Sequence, residues 1–362
     1  MSKIENMSIF KAVSPLSQPI ADSTHSIDEI GFYVVRLQLT NGVVGEGYLL
    51  SFHYSPNAIE GALKDLREAV TNYHCFETGK FIDDISKEHE YFGHDGIQKW
   101  ALATINIAMW DAYCKTLKQP IWKLLGNTAN KVPVYGSGGW LSYTDQELIE
   151  EVTDYKNRGF GAVKIKVGTS AQDGGVERDL ERLQKVRDAV GTKLNIMMDA
   201  NQGMNVPDAI KLSTLARDLN IHWFEEPVNH MDFSGFEIIR QKTGIALAMG
   251  EREYNFEALK SLISRNALDL WQPDIVRIGG VDAWLESAAL AKAHNIPVLP
   301  HYYKDYDVPL LCTISNGYGS ESFDWIDNII DNKMEVKDGF AYPREGDGWG
   351  FNFLDQFLTE VK

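Results

Sequence analysis

Three carboxylates at an even beat constrain this chain more than any other feature. Asp199 stands in MMDANQG, Glu225 follows 26 residues later in HWFEEPV, and Glu251 follows another 26 later in ALAMGERE. Each closes a short apolar run. A strand, a helix and two loops occupy about 25 residues, so this spacing is what successive βα units produce, and it places the three acids side by side. One acid after a strand is commonly a helix cap or a solvated charge. Three aimed at a common volume repel one another, and the usual resolution is a hard divalent cation bound through oxygen. The reading is a Mg²⁺ site on Asp199, Glu225 and Glu251.

Along the chain, GFYVVRLQLT, Asn41-Gly42 and VVGEGYLL alternate around a hairpin dipeptide and predict two antiparallel strands. The preceding polar stretch with Pro15 and Pro19, about Pro15 to Glu29, is expected to be a loop, as is Ser51 to Pro56. Helical periodicity covers Ile59 to Tyr73 and Ile97 to Lys115. From Lys131 the rhythm becomes strand, helix, strand, helix. VPVYGS, AVKIKVG, LNIMMDA, HWFEEP, ALAMGE, LDLWQPD, IPVLPH and SESFDW are the strand candidates, nearly continuous apolar runs as in parallel sheets. A doubly wound sheet could use these elements but would concentrate its chemistry at one switch point. Polar residues end almost every strand here, which favours an α/β fold with a (β/α)7-8 TIM-type barrel. The predicted division is an α+β capping domain over 1–125, the barrel over 126–325, and a segment over 326–362 that returns to the first domain.

Other strand ends also carry chemistry. Lys164 and Lys166 lie two apart, so alternation turns both to one side, the interior of a barrel strand. A KxK on an exposed edge strand means nothing, but this one sits among Ala162, Val163, Ile165 and Val167. Two like charges are expected to depress each other's pKa toward a general base's range. Asp274 in QPDIVRIGG and His301 in IPVLPHYY end adjacent strands and form a candidate dyad, the carboxylate orienting the imidazole. Glu321 in GSESFDW is read as a protonated hydrogen-bond donor to a substrate carboxylate, with a plain salt-bridging role as the alternative. Metal, lysine and histidine together suit removal of the α-proton of a carboxylate.

As an ordered set, these residues resemble the enolase superfamily, in the subgroup named for mandelate racemase, over essentially the whole chain. The resemblance implies Mg²⁺ on Asp199, Glu225 and Glu251, with Lys166 as base on one face and the His301 and Asp274 dyad on the other. It implies that Lys164 neutralises the substrate carboxylate, that Asn201 sits beside the metal, and that Glu321 is the electrophilic donor. The first domain looks like the family's capping domain, whose loops close over substrate. Here those loops offer Ser17, Gln18, Asp22, Ser23, Thr24 and His25, then His53 and Tyr54. That hydrophilicity suggests a polyhydroxylated substrate and an acid sugar dehydratase. Trp140, and the aromatics from Tyr302 to Tyr306, are further candidates for the pocket wall. The alternatives are a racemase or epimerase of a 2-hydroxy acid, and a non-catalytic sugar-acid binding protein.

Composition narrows the partners. A net charge of −16 disfavours nucleic acid and anionic membrane, leaving a small-molecule carboxylate. Three scattered cysteines, Cys75, Cys114 and Cys312, without CxxC, fit unpaired thiols in a reducing compartment. No leader-like apolar stretch and no run of 18 apolar residues stands in the sequence, so a cytoplasmic protein is expected. The resemblance further implies a homo-oligomer.

Overall fold

The computed structural model describes residues 2–52, 54–92 and 95–362. Strands β1 (Ile4–Ala21), β2 (Ser26–Leu39) and β3 (Val44–Leu50) form an antiparallel meander. Gly42, at φ 84° in the β2–β3 turn, takes the left-handed backbone that Asn-Gly turns require. The sheet packs on a helix over Ile97–Leu117. Gly45 and Gly47 of β3 make that contact possible, since a Cβ on Gly47 would stand 2.4 Å from the Thr104 carbonyl oxygen. The expected loop from Pro15 to Glu29 is instead mostly the far end of the β1–β2 hairpin. Pairing runs from Pro15 opposite Glu29 to Ala21 opposite Ser26, with a register shift between Pro15 and Ile20. That irregularity absorbs two prolines that cannot donate to a regular ladder.

The second sheet is parallel through β4 (Val132–Gly138), β5 (Ala162–Lys166), β6 (Asn195–Asp199), β7 (Ile221–Glu225), β8 (Leu247–Met249) and β9 (Leu270–Trp271). Helices over Asp145–Asn157, Gly175–Val190, Val206–Leu215, Phe233–Thr243 and Phe256–Ser264 connect these strands in turn. IPVLPH is not a strand. Pro297 and Pro300 remove ladder donors, and only Val298 bridges, to Trp271 on one side and Gly317 on the other. Strand β10 (Ser320–Ser322) then pairs in parallel with β4. Beneath the carboxyl ends of the strands, Tyr135, Met197, Trp223, Ala248, Leu270 and Leu299 form a separate buried cluster that serves as a floor.

The C-terminal segment splits its allegiance. Strands β11 (Glu335–Lys337) and β12 (Phe340–Tyr342) form a hairpin, and β12 pairs with the start of β4 rather than with the first sheet. The chain then crosses over: Phe353 N–H donates to Glu46 Oε2 at 2.8 Å, and β13 (Thr359–Glu360) pairs with β1. Two tyrosines bind the halves from the other direction. The hydroxyls of Tyr306 and Tyr303 accept from the N–H groups of Tyr48 and Leu50, both at 2.9 Å, so the free edge of β3 is satisfied. Tyr303 and Tyr306 are therefore fasteners between the sheets, and of the expected pocket tyrosines it is Tyr302 that reaches the cavity. The three cysteines are buried and free, and no helix among the described residues is long and apolar enough to cross a membrane.

Candidate active site

Register assembles the first row of the site. Lys166 on β5 is the lateral partner of Asp199 on β6, and Asp199 is the partner of Glu225 on β7. Adjacent strands lie about 4.8 Å apart, so these three groups must meet. Glu251 follows β8 through Gly250, and Asp274 caps the helical turn Ile275–Ile278. Asp274 keeps both roles its position allows: Oδ1 accepts from the N–H groups of Val276 and Arg277, and Oδ2 stands 2.9 Å from His301 Nδ1. Lys164, Lys166, Asp199, Glu225, Glu251, Asp274 and Glu321 are all buried.

Lys164 Nζ lies 2.8 Å from Glu225, 2.7 Å from Glu321 and 3.6 Å from Asp199. Lys166 Nζ lies 2.5 Å from Asp199 and 5.2 Å from the ring centre of Trp140. His301 Nε2 lies 3.0 Å from Glu251 Oε2, while Glu251 also pairs with Arg252, which in turn pairs with Glu226. These contacts overturn two expectations. Burial, and then Lys164, pull the Lys166 pKa down, but the carboxylates of Asp199, Asp22 and Glu225 together outweigh them, so the amine sits above its ordinary value. Burial pushes Glu321 up, yet Lys164 and His301 hold it at about 2, so it is the salt-bridging carboxylate rather than a protonated donor. Its Oε2 accepts from the Tyr302 N–H at 2.9 Å. Burial lowers the His301 pKa, and Glu251 with the Asp274 hydrogen bond more than reverses that.

As they stand, no three acid, Cys or His side chains among the described residues are arranged to ligate one ion. Asp199 and Glu225 share the Lys164 ammonium, and Glu251 is turned to Arg252 and His301. The chemistry of the set nonetheless fits a hard cation. Burial and then Asp199 push Glu225 up to about 7, a sign of surplus negative charge on this wall. Buried oxygens of Asn201 (Oδ1), Gln272 (Oε1) and Glu226 (Oε1) find no hydrogen-bond donor among the described residues. Acceptors without donors are what an oxygen-seeking divalent ion satisfies. Asn201, at φ 42°, also donates its backbone N–H to Asp199 Oδ1 at 2.9 Å, which places it beside that acid.

The lysines, Glu251, Asn201, His301 and Glu321 open on one cavity of about 320 Å³, in the size range of small-ligand sites. His25, Tyr54 and Trp140 line it; the expected contribution of His53 lies outside the described residues. Sequence reasoning missed Arg252, Arg277, Tyr254, Phe52 and Trp325, which also line it, and Gln272, whose amide donates to Glu225 Oε2 at 2.7 Å. Arg252 directly follows Glu251 and Arg277 lies one helical turn beyond Asp274, so adjacency to expected site acids was the available signal. The aromatic wall had none: Phe52 and Trp325, 6.2 Å apart between ring centres, come from opposite ends of the chain.

A family model for the mandelate racemase / muconate lactonizing enzyme N-terminal domain matches residues 4–126. Another, for the enolase C-terminal domain-like fold, matches residues 147–357, more than half of the chain. The chain belongs to the enolase superfamily, in its mandelate racemase subgroup. The L-talarate/galactarate dehydratase of Salmonella typhimurium is 26% identical over 361 residues, 98% of this chain and 90% of that protein. A crystal structure of that dehydratase liganded with Mg and L-lyxarohydroxamate superposes with a TM-score of 0.92 at 26% identity, covering 99% of this chain and 94% of the other. A racemase from Streptomyces coelicolor with bound magnesium gives 0.93 at 26% identity, covering 98% and 100%. These relatives share the superfamily's plan of a capping domain on a TIM barrel.

Proposed function

We propose that the chain is a Mg²⁺-dependent hydro-lyase that dehydrates a sugar acid, an aldonate or an aldarate, to a 2-keto-3-deoxy acid. One observation carries the reading. Lys166 and His301, the latter held by Asp274, open on one cavity, and the acids of β6, β7 and the loop after β8 stand between them along the ladder. We take the bridges through Val298 and Gly317 and the β10–β4 pairing as closing that ladder into the barrel. The division at about residue 126, and the tail beyond 325, belong to the same reading.

Mg²⁺ held by Asp199, Glu225 and Glu251 would supply positive charge to the substrate carboxylate and so acidify the neighbouring C–H. Lys166 is held protonated by Asp199; with that carboxylate engaged by the ion, its amine would be released to take the α-proton. His301, oriented through Nδ1 by Asp274, gives a proton to the departing β-hydroxyl, which leaves as water. The resulting enol becomes the 2-keto acid. Lys164 balances the inner acids, and Glu321 fixes Lys164 and the Tyr302 backbone rather than donating a proton. His25, Tyr54 and Trp140 wall the polyol chain.

A racemase or epimerase would use the same two groups, with His301 returning its proton to the α-carbon. A panel of acid sugars incubated with enzyme and Mg²⁺ in D₂O, scored for 2-keto acid by semicarbazide and for α-deuteration, separates them. Keto acid from one or more substrates supports dehydration. Exchange without keto acid overturns it in favour of the racemase, and ligand binding with neither favours a binding protein.

A further inference from the structure

The roof of the cavity is the turn between β1 and β2, and its one acid faces the substrate volume. Asp22 lines the cavity together with Lys166 and Arg252. Its Oδ1 accepts from the N–H groups of Thr24 and His25, both at 2.7 Å, and from the Thr24 hydroxyl at 3.0 Å; Oδ2 stands 3.3 Å from His25 Nδ1. Burial disfavours the charge, but His25 and Lys166 hold the group ionised, below its ordinary pKa.

The turn is fastened in place. The Ser23 hydroxyl donates to the Ala200 carbonyl at 2.5 Å, Leu141 N–H donates to the Ala21 carbonyl at 2.8 Å, and Ala21 N–H donates to the Ser142 hydroxyl at 3.1 Å. Gly203 leaves the room, since a Cβ there would stand 2.3 Å from Ser23. The Asp22 charge is therefore a fixed part of the wall.

Apart from Lys166, the base, the lysine and arginines of the cavity have acid partners that the ion would not take. Lys164 pairs with Glu321, and Arg252 with Glu226. Arg277 lies 3.6 Å from Glu251 and 3.5 Å from Asp274. A carboxylate at the reacting end of a substrate would be met by the divalent ion. A second carboxylate that reached the roof would be met by Asp22.

We infer that Asp22 makes this site selective for monocarboxylic sugar acids, with a hydroxyl at the distal end donating to Asp22, over dicarboxylic ones. The inference rests on the dehydration reading and names its substrate class. Two unit charges a few ångströms apart in a partly buried site give roughly ten- to hundredfold discrimination.

The test is kcat/KM with Mg²⁺ for aldonate and aldarate pairs of matched configuration, five and six carbons long, which differ only in the terminal group. In the wild type, the best aldonate is expected to exceed its aldarate partner at least tenfold. Asp22→Asn keeps the Oδ1 acceptor of the turn and removes the charge, so the aldarate-to-aldonate ratio should rise ten- to hundredfold, mainly through KM. Preference for aldarates by the wild type overturns this inference and leaves dehydration standing. An Asp22→Asn ratio unchanged from the wild type also overturns it, reducing Asp22 to a turn residue. Keto acid from neither class overturns the dehydration reading, and this inference with it.

Discussion

Lys166 and His301 differ from the structural charges of this protein in having an open side. Both line the cavity, whereas Arg182, which is buried, spends its guanidinium on the backbone carbonyls of Gly139 and Trp140. Lys166→Ala and His301→Ala should each lower kcat by about 10²- to 10⁴-fold, the usual worth of a positioned acid or base, with Kd for a bound sugar acid changed far less. Equal losses in kcat and affinity would instead make them binding groups. Outside the site, Glu151 accepts from Gly139 N–H at 2.6 Å, and burial pushes its carboxyl up to about 7. The folded state then holds a proton that the unfolded chain releases near 4.5, so this residue's contribution falls as pH rises between those values, by roughly 3 kcal/mol. Urea unfolding at pH 5 and pH 8 should show a flatter pH dependence for Glu151→Gln than for wild type; identical slopes would contradict the assignment.

At the scale of elements, what was legible in the sequence was whatever repeats. The even spacing of Asp199, Glu225 and Glu251 located three strand ends, and the Asn41-Gly42 pair located the hairpin, because turn chemistry and the βα period are local signals. The β1–β2 extension was hidden by Pro15 and Pro19, whose cost a register shift absorbs. The ionisation of Lys166 and Glu321 was hidden too, since spacing shows that the lysines are neighbours but not that Asp199 and Glu321 complete each pair. Close approach of β3 to its helix is likewise a long-range fact written in Gly45 and Gly47. Gly47→Ala would press a Cβ on the Thr104 carbonyl and the Ala108 nitrogen, both backbone, at 2.4 and 2.9 Å. Overpacking of that kind costs about 1–3 kcal/mol or more, measurable as a lower denaturation midpoint at unchanged m-value. A midpoint equal to wild type would show that the helix can move away freely.

For the molecule as a whole, the two sheets serve one cavity: the second supplies the charged groups and the first supplies the roof. They are joined by the tyrosines at the edge of β3, by Phe353 on Glu46 and by β13 on β1. If the acids of β6, β7 and the loop after β8 hold Mg²⁺, the ion must stabilise the folded state by mass action, about 2.7 kcal/mol at a concentration one hundred times its Kd. Thermal unfolding should therefore shift upward with Mg²⁺ in wild type and much less in Asp199→Asn. The most direct measurement is a crystal structure grown with Mg²⁺ and a sugar acid. The account predicts one ion bonded to an oxygen from each of Asp199, Glu225 and Glu251, with Lys166 Nζ and His301 Nε2 on opposite faces of the substrate's α-carbon. An ion bound elsewhere, or both nitrogens on one face, would contradict it.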